Sequence, residues 1–365
     1  MSLSDNKDSE YMALAIALGE KGKGSTFPNP PVGAVLVKNG EVISTGWHRY
    51  RGEDHAEARC IDRAISDGHD PRGATLYVTL EPCCHHGLTP PCTDKIIETG
   101  IARVVISVPD DHDERVCGGG IKILNEAGIA VEVGLMADCG SELIEHYRIQ
   151  RTEKRAFLTA KWAQSLDGRI AARTGLSKWI SGEKARAFAH KLRSRHGAVA
   201  VGAGTVIADN PELTVRMFES HHAPVRIILA GDIVLNSSLK ALSGGSRTII
   251  VLDNEDFAPL NTAENVELLI LPRGKGFWKR LLAKLPAMGI GSVLLEGGSE
   301  VLTSAFINRA IDRVYCIVAP MLMGDGVQAV SDLKIDSPNM SIRLEKSRWE
   351  QSDEDIIVTG MVSSS

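Results

Sequence analysis

Residues 55–92 contain side chains whose types and spacing could bind a metal ion and activate water. His55 stands two residues before Glu57, and Cys83 and Cys92 follow further along the chain, each directly after a proline. Zinc takes thiolate sulfur and imidazole nitrogen as ligands, and a catalytic zinc site uses three protein ligands and leaves one position for water. This stretch therefore has the parts of a water-activating zinc site, in which Glu57 would carry the proton.

The order of these residues matches a known signature only in part. His-x-Glu followed by Pro-Cys-x-x-Cys is the signature of zinc deaminases, in which the glutamate is an acid/base and not a ligand. Here eight residues separate Cys83 from Cys92, instead of two. The spacing is therefore the unusual feature of this stretch.

Two alternatives to a catalytic site remain open at this stage. A closed structural site could take a fourth ligand from residues 84–86 (Cys-His-His), or some of these cysteines could be core thiols. A glutamate two residues after His55 has no purpose in a structural site, which favours catalysis. Cys84 could also exchange with Cys83 as a ligand.

A helix is predicted to position the histidine. Asp54 can cap a helix that begins near His55 and ends near Ser66. Within a helix His55 and Glu57 would lie about 200° apart around the axis. Both can face one metal ion only if His55 lies at the first turn.

The two cysteines are placed by other predicted elements. Cys83 follows a buried strand over residues 74–80, and Cys92 lies at the start of a helix over residues 91–99. A helix N-terminus lowers the pKa of a thiol, which favours the thiolate that zinc binds.

Strands alternate with helices along most of the chain, which predicts α/β domains with parallel strand pairs. Residues 1–9 are expected to be disordered, and Asn39-Gly40 predicts a hairpin turn. The predicted strands cover residues 32–37, 42–47, 74–80, 104–108, 130–133, 156–163, 198–201, 225–229, 248–252, 266–271, 292–295, 314–318 and 355–362, and the predicted helices cover residues 10–20, 55–66, 91–99, 120–127, 137–148, 184–195 and 300–309.

Composition narrows the class of protein. A chain of 365 residues with 43% apolar residues predicts two or three globular domains. No apolar run is long enough for a transmembrane helix, and the N-terminus lacks the pattern of a signal peptide, so we expect a cytoplasmic protein without membrane contact. The net charge of −5 provides no basic field for nucleic acid, and the odd number of seven cysteines argues against a disulfide framework. The basic, polar stretch at residues 148–155 predicts a boundary between domains at 1–150 and 151–365.

Polar patches interrupt the strands of the second domain. They lie at residues 161–168, 177–181, 201–216 and 295–300. The last patch predicts a strand, a Gly-Gly turn and a helix, an arrangement whose free backbone donors suit a phosphate. Gly202-x-Gly204 lacks the third glycine of a Rossmann fingerprint, because Ile207 occupies that position.

Three segments resemble the bacterial bifunctional riboflavin-biosynthesis deaminase/reductases: residues 26–33 (Thr-Phe-Pro-Asn-Pro-Pro-Val-Gly), residues 55–57 (His-Ala-Glu) and residues 82–92 with their Thr-Pro-Pro-Cys ending. The resemblance implies an N-terminal α/β/α sandwich of the cytidine-deaminase type that binds one zinc ion. It implies that His55, Cys83 and Cys92 are the zinc ligands, that Glu57 is the proton shuttle, and that Asn29 and His48 contact the substrate.

The patches of the second domain resemble the reductase half of the same family over most of residues 156–304. That half has an α/β fold of the dihydrofolate-reductase type and uses NADPH. The resemblance implies that NADPH is contacted by Ala163, Trp179, Thr205, Asp209, Gly298, Ser299, Glu300, Val301, Leu302, Thr303 and Ser304, and that the ribose-phosphate substrate is contacted by Ser177, Arg193, Leu213, Arg216 and Glu296. Two arginines can hold a phosphate through bidentate bonds.

Two positions depart from the family pattern. Cys84 stands where the family usually has serine, and Leu88 stands where it usually has a basic residue that contacts the substrate. We hypothesise that a nearby cation, such as Arg49 or Arg51, takes over the substrate contact of the basic residue that is missing at position 88.

The resemblance implies a bifunctional enzyme, both hydrolase and oxidoreductase, of riboflavin biosynthesis. It would deaminate 2,5-diamino-6-ribosylamino-4(3H)-pyrimidinone 5′-phosphate and then reduce the ribosyl group with NADPH, giving 5-amino-6-ribitylamino-2,4(1H,3H)-pyrimidinedione 5′-phosphate. Its partner would be this small phosphorylated pyrimidine rather than nucleic acid or a membrane, and family habit implies a homodimer or homotetramer. The alternatives are a nucleoside or tRNA deaminase with an unrelated C-terminal domain, and a non-catalytic metabolite sensor with a structural zinc.

Overall fold

The chain forms two compact units that divide between Lys154 and Arg155. The computed structural model describes residues 3–218, 220, 222–259 and 263–363. The boundary predicted after residue 150 lies four residues earlier, inside a helix that ends at Glu153. Within the described ranges, no helix is both long and apolar enough to cross a membrane.

The first unit has five strands and six helices among its described residues. The strands are β1 (Gly33–Lys38), β2 (Glu41–Trp47), β3 (Thr75–Leu80), β4 (Arg103–Val108) and β5 (Ala130–Val133). The helices are α1 (Leu3–Gly19), α2 (Ala56–Ser66), α3 (Cys92–Glu98), α4 (Gly119–Glu126), α5 (Ala137–Leu143) and α6 (Glu145–Glu153). The sheet order is β2-β1-β3-β4-β5, with β3, β4 and β5 parallel and β1 antiparallel to both of its neighbours.

Apolar side chains cover both faces of this sheet because successive strand residues point to opposite sides. Leu36 and Leu76 pack on one side with Ile61 of α2, whereas Val35 packs on the other side with Met12 of α1. Helices on both faces confirm the predicted α/β/α sandwich. The predicted hairpin is also confirmed, since β1 and β2 are joined by Asn39-Gly40, whose φ angles of 54° and 79° are both positive.

The prediction of disorder at residues 1–9 is wrong for residues 3–9, which belong to α1; residues 1–2 lie outside the described ranges. Asp8 of this helix forms an ion pair of 2.7 Å with Arg103 and accepts a hydrogen bond from the Tyr77 hydroxyl. Both partners are distant in sequence, so a local pattern could not indicate that this polar segment is anchored.

Two helix boundaries also differ from the prediction. His55, not Asp54, is the N-cap residue of α2, with extended backbone angles and no capping side chain. The predicted helix over residues 137–148 is two helices, α5 and α6, separated at Ile144.

The second unit has eleven described strands and four described helices. The strands are β6 (Phe157–Ser165), β7 (Arg169–Ala172), β8 (Ala198–Gly202), β9 (Val225–Gly231), β10 (Thr248–Leu252), β11 (Val266–Ile270), β12 (Ser292–Leu295), β13 (Arg313–Ala319), β14 (Gly326–Gln328), β15 (Leu344–Ser352) and β16 (Asp355–Val362). The helices are α7 (Glu183–Ser194), α8 (Ala203–Asp209), α9 (Phe277–Lys284) and α10 (Ser299–Ile307). The sequence patterns missed β7, β14, β15, α8 and α9.

A nine-stranded sheet of order β11-β10-β9-β8-β12-β6-β13-β16-β15 forms the second unit, parallel as far as β13 and antiparallel at β16 and β15. Leu158 packs with Leu302 of α10 on one face, and Val199 packs with Leu192 of α7 on the other. The predicted α/β fold is confirmed for this unit as well.

Candidate active sites

Three structural elements of the first unit bring the predicted zinc ligands together. His55 directly precedes α2, Cys92 is the first residue of α3, and Cys83 follows β3 after two residues. The carboxyl ends of parallel strands and the N-termini of the adjoining helices meet at one edge of an α/β sheet, which is where ligands usually bind. Because His55 lies before the helix, the 200° separation expected from Glu57 within a helix does not arise.

The ligand atoms have the spacing that one zinc ion requires. The Nδ1 atom of His55 lies 3.4 Å from Sγ of Cys83 and 3.5 Å from Sγ of Cys92. Ligands of one tetrahedral zinc, at about 2.0 Å for nitrogen and 2.3 Å for sulfur, lie about 3.6 Å apart. The three ligand atoms lie within 4.8 Å of one another, in a group that does not include Cys84, His85 or His86. The donor set therefore fits zinc.

Electrostatics at the cluster favour a thiolate and a protonatable carboxyl group. The neighbouring Cys92 thiol and the His55 imidazole lower the pKa of Cys83, and the Cys92 backbone N–H also donates to its sulfur. The pKa of Cys92 is instead raised by its hydrogen bond with Cys83 and by burial, so the lowering expected at the helix start falls on Cys83. Glu57 is buried, with 4% of its surface exposed, and this burial raises its pKa to about 7.

Asn29 and His48 form a second polar group beside the cluster. The Nδ2 atom of Asn29 lies 3.1 Å from Nε2 of His48, and Nδ1 of His48 lies 3.1 Å from the Asp54 carbonyl oxygen. Burial lowers the pKa of His48 to about 4, so its ring is neutral at pH 7. A neutral ring that donates to Asp54 accepts from Asn29, which fixes the orientation of the Asn29 amide.

One cavity of about 140 Å³ is lined by Asn29, His48, His55, Glu57 and Cys83, but not by Cys92. Sequence reasoning assigned no role to six of its charged or polar lining residues: Glu81, Asp110, Asp113, Arg115, Tyr147 and Arg151. It considered His85 only as a possible fourth ligand of a structural zinc site. The buried Nδ1 atom of His85 has no hydrogen-bond partner, so it is available to a ligand. Leu88, in contrast, is 77% exposed.

Glu81 organises the loop and helix that close this cavity. Its two carboxylate oxygens accept hydrogen bonds from the backbone N–H groups of Asp110, Gly118, Gly120 and Ile121, at 3.0–3.2 Å. The N-terminus of α4 is thereby held against the residues that precede Cys83. Such a network has no local sequence signal, because its donors are backbone atoms of a distant segment.

Replacing Gly120 with alanine is expected to damage the zinc site from outside it. A Cβ atom at this position would lie 2.1 Å from the Pro82 carbonyl oxygen, so the segment that carries Cys83 would have to move. We expect a loss of about 1–3 kcal/mol in unfolding free energy and a reduced zinc content, measured by denaturation and metal analysis. Gly87→Ala is the matched control, since no atom lies within 4 Å of its added Cβ. Equal zinc content in both variants would contradict this expectation.

A larger cavity of about 670 Å³ lies in the second unit. It brings together nine of the residues implied by the resemblance: Ala163, Ser177, Trp179, Arg193, Thr205, Asp209, Leu213, Arg216 and Glu296. Among the described residues that line it, six are cationic and three are anionic: Lys161, Lys178, Arg186, Arg193, Arg216 and Lys240 against Asp209, Glu212 and Glu296. This excess of positive charge suits a phosphorylated ligand.

Residues expected to contact the substrate and residues expected to contact the cofactor line this same cavity. The Ser177 hydroxyl donates to Oδ1 of Asp209 at 3.1 Å. Trp179 is 69% exposed rather than part of the core, and the Arg186 guanidinium lies over its ring at 4.6 Å.

Arg193 and Glu296 form a buried ion pair in this cavity. The Nε and Nη2 atoms of Arg193 donate to the two oxygens of Glu296 at 2.5 and 2.9 Å. The Nζ atom of Lys161 lies 3.7 Å from Oε2 of the same carboxylate. The bidentate face of Arg193 is therefore already occupied, which differs from the expectation that two arginines hold the phosphate. Arg216 pairs with the half-exposed Glu212 instead. Sequence reasoning assigned no role to Lys161.

The turn at residues 298–304 lies partly in a separate cavity of about 500 Å³, at the carboxyl ends of β8, β9 and β10. Glu300, Val301 and Ser304 line it, together with Gly202, Gly204, Gly231, Arg273 and Lys275. Asp253 and Glu300 also line this cavity, and Arg273 is paired with Asp253, so its charged residues balance. The glycine-rich wall, whose backbone a ligand can approach closely, is the feature that fits the phosphates of a dinucleotide such as NADPH. Leu302 is instead fully buried in the core, and Thr303 accepts a hydrogen bond from the Ser331 backbone. Gly298 and Ser299 are not among the described residues that line either cavity.

Comparisons with known proteins agree with this division of the chain. Residues 5–108 match the cytidine and deoxycytidylate deaminase zinc-binding region, and residues 156–358 match the RibD C-terminal domain. The riboflavin biosynthesis protein RibD of Aquifex aeolicus is 42% identical over 96% of this chain and 97% of its own length.

Solved structures show the same likeness over the whole chain. The crystal structure of a diaminohydroxyphosphoribosylaminopyrimidine deaminase/5-amino-6-(5-phosphoribosylamino)uracil reductase from Thermotoga maritima is 37% identical, with a TM-score of 0.86 over 99% of this chain and all of that one. RibD of Acinetobacter baumannii is 32% identical, with a TM-score of 0.81 over the same shares.

The fold and sites define a zinc-dependent deaminase joined to a reductase in one chain. The chain belongs to the RibD family, the bifunctional deaminase/reductases of riboflavin biosynthesis. Its cofactors are zinc in the deaminase unit and NADPH in the reductase unit.

Proposed function

We propose that the two units act in sequence on one phosphorylated pyrimidine. The first would remove the ring amine of 2,5-diamino-6-ribosylamino-4(3H)-pyrimidinone 5′-phosphate, and the second would reduce the ribosyl group to ribityl with NADPH. The observation that carries this proposal is the buried Glu57 carboxyl group in one cavity with the His55 and Cys83 ligands. The Thermotoga maritima relative is named for the same two activities.

In the deaminase unit, His55, Cys83 and Cys92 would hold zinc, which supplies activation of water near neutral pH. Glu57 would accept a proton from that water and deliver it to the leaving nitrogen, because its buried carboxyl group lines the same cavity as the His55 and Cys83 ligands. Asn29 would orient the pyrimidine ring, because its own amide is oriented by His48.

In the reductase unit, NADPH supplies the hydride and the chain's residues position the sugar. Arg216, with Ser177 and Leu213, would bind the ribose phosphate. Arg193 and Glu296 would shape the site through their mutual ion pair. Ala163, Trp179, Thr205 and Asp209 would border the cofactor, together with Glu300, Val301 and Ser304 from the turn at residues 298–304.

A coupled assay tests the proposal and the order of the two steps. The pyrimidine phosphate is supplied, and ammonia release and NADPH consumption are followed in wild type and in Arg216→Ala. We expect the variant to release ammonia normally but to show a KM for reduction raised by about 10- to 100-fold, since a charged hydrogen bond is lost. Arg309→Ala, outside the described residues that line this cavity, is the control. NADPH consumption before ammonia release would contradict the proposed order.

Assembly and location stay predictions. We propose a homodimer or homotetramer formed through the reductase unit, and a cytoplasmic location, both on the basis of the family and of the sequence. Sedimentation analysis of the purified chain and fractionation of cells would test them.

A further inference from the structure

Two arginines converge on one carboxylate at the deaminase cavity. Nε and Nη2 of Arg115 donate to the two oxygens of Asp113, at 2.9 and 2.5 Å, and Nη2 of Arg151 lies 2.5 Å from the same Oδ2 atom. All three residues line the cavity that also contains His55 and Glu57. The Asp113 side chain is 6% exposed, whereas those of Arg115 and Arg151 are 59% and 25% exposed.

This group carries net positive charge at the cavity. Two guanidinium groups face one carboxylate, and the Arg115 guanidinium keeps that carboxylate ionised by lowering the Asp113 pKa to about 2. A guanidinium has five N–H donors, so Asp113 occupies only part of each arginine.

The other acidic groups near the arginines are engaged elsewhere. Glu81 accepts four backbone N–H groups, and Asp110 accepts from the backbone N–H groups of His112 and Asp113 and from the Tyr147 hydroxyl. The Arg151 guanidinium also lies over the Tyr147 ring at 5.7 Å, which limits its mobility. Glu81 and Asp110 stay anionic while they accept these bonds, so the described lining of the cavity has no overall excess of positive charge. What it offers a phosphate is a pair of guanidinium groups that Asp113 orients and that keep unused N–H donors.

We propose that Arg115 and Arg151, oriented by Asp113, bind the 5′-phosphate of the pyrimidine substrate in the deaminase unit. The inference rests on the proposed function and adds the residues that recognise the phosphate. A phosphate monoester is a dianion with three acceptor oxygens, and guanidinium groups bind it through paired, charge-assisted hydrogen bonds. With the phosphate held there, the ring amine is left to reach the cluster in the same cavity.

Arg49 and Arg51, which were expected to replace the basic residue that the family usually has at position 88, do not line the cavity as Arg115 and Arg151 do. Arg49 lies over the Trp47 ring at 4.8 Å, and neither Arg49 nor Arg51 is among the described residues that line the cavity. Leu88 itself would lie 3.9 Å from a Cβ atom at Gly52, beside the turn that carries Arg51. The earlier hypothesis for Arg49 or Arg51 is therefore replaced by Arg115 and Arg151.

The test compares the phosphorylated substrate with its dephosphorylated form in the full-length zinc enzyme. The kcat and KM of deamination are measured for both compounds in wild type, Arg115→Gln, Arg151→Gln and the double variant. For the double variant we expect KM for the phosphate ester to rise by about 10- to 100-fold, and its preference over the dephosphorylated compound to fall by the same factor. Arg63→Gln is the matched control and should keep the wild-type preference, because Arg63 has the same 59% side-chain exposure as Arg115 but is not among the described residues that line the cavity.

Two further measurements keep the test decisive if the glutamine variants are unstable. Inorganic phosphate should compete with the phosphorylated substrate in wild type, and Arg115→Lys and Arg151→Lys should weaken this competition because lysine cannot bind in the bidentate manner. A purely structural role of the ion pairs would lower stability without changing the preference for phosphate.

The outcomes separate this inference from the proposed function. An unchanged preference in a folded double variant with normal zinc content and reductase activity, or a wild type without such a preference, would overturn the inference alone. Absence of deamination of the pyrimidine phosphate by wild type would instead overturn the proposed function.

Discussion

Replacing Glu57 with glutamine is expected to slow deamination by about 10²- to 10⁴-fold while zinc content and the fold are retained. Glutamine has nearly the same shape as glutamate, so it should occupy the same buried position beside His55 and Cys83. An amide cannot accept and release the proton that a carboxyl group transfers. The measurements are ammonia release, metal content and thermal unfolding of the same preparation.

Glu81 provides a matched comparison in the same cavity. It is also a 4% exposed carboxylate, but its oxygens accept four backbone N–H groups. In Glu81→Gln an amide NH₂ group would face N–H donors, so we expect a loss of about 1–3 kcal/mol in unfolding free energy. Glu57→Gln should therefore lose deaminase turnover while its stability is unchanged, whereas Glu81→Gln should be less stable than wild type. A Glu57→Gln enzyme that deaminates at more than a tenth of the wild-type rate would show that another group carries the proton. The non-catalytic metabolite sensor considered from the sequence would show no measurable change in this variant.

Replacing Glu296 with glutamine is expected to destabilise the reductase unit by about 3–5 kcal/mol, because a buried cation loses its counter-charge. The side chains of Arg193 and Lys161 are each only 13% exposed, and Glu296 is the carboxylate that pairs with both. The expected readouts are a lower denaturation midpoint of the second unit and loss of reduction of the deaminated intermediate.

The Arg247–Glu267 pair is the control for this experiment. It has the same bidentate chemistry, at 2.7 and 2.9 Å, but its side chains are 38% and 45% exposed. Glu267→Gln should therefore cost less than about 1 kcal/mol. Equal costs at positions 267 and 296 would mean that burial does not decide the strength of these pairs.

Acid should act through the same buried carboxylate. The nearby Arg193 and Lys161 charges outweigh the desolvation of Glu296 and lower its pKa from 4.5 to about 2 in the folded state. Because the pKa of Glu296 is lower in the folded state, its ionised form stabilises the fold at pH values above about 4.5, the pKa in the unfolded chain. This stabilisation is lost as pH falls from about 4.5 toward 2. Denaturation curves across this range should show a pH dependence in wild type that is smaller in Glu296→Gln.

Several features were predictable because their signals are local. Asn39-Gly40 indicated a hairpin because its backbone angles suit few other residue pairs, and the apolar runs indicated the central strands of both sheets. Cys92 could be placed at a helix start because prolines precede it. These inferences needed only neighbours in sequence.

Other features were missed because they depend on distant contacts. Residues 3–9 are polar, yet Asp8 anchors them to Arg103, which is 95 residues away. No sequence pattern indicated that Glu296, which is 103 residues away, occupies the bidentate face of Arg193. No local pattern distinguishes an arginine that is free for a ligand from one that is already paired.

The sequence by itself determined the chemistry available to this protein, because the types and order of His55, Glu57, Cys83 and Cys92 can be read directly from the chain. Together they are the parts of a zinc site that activates water. It also indicated two α/β units, since hydrophobic periodicity is a local property. Only the tertiary structure brought three ligand atoms to within 4.8 Å of one another and placed Arg115 and Arg151, from a loop and from α6, on one carboxylate of the same cavity. The physical reason is that such convergence results from the packing of helices against a sheet, which no spacing along the chain records.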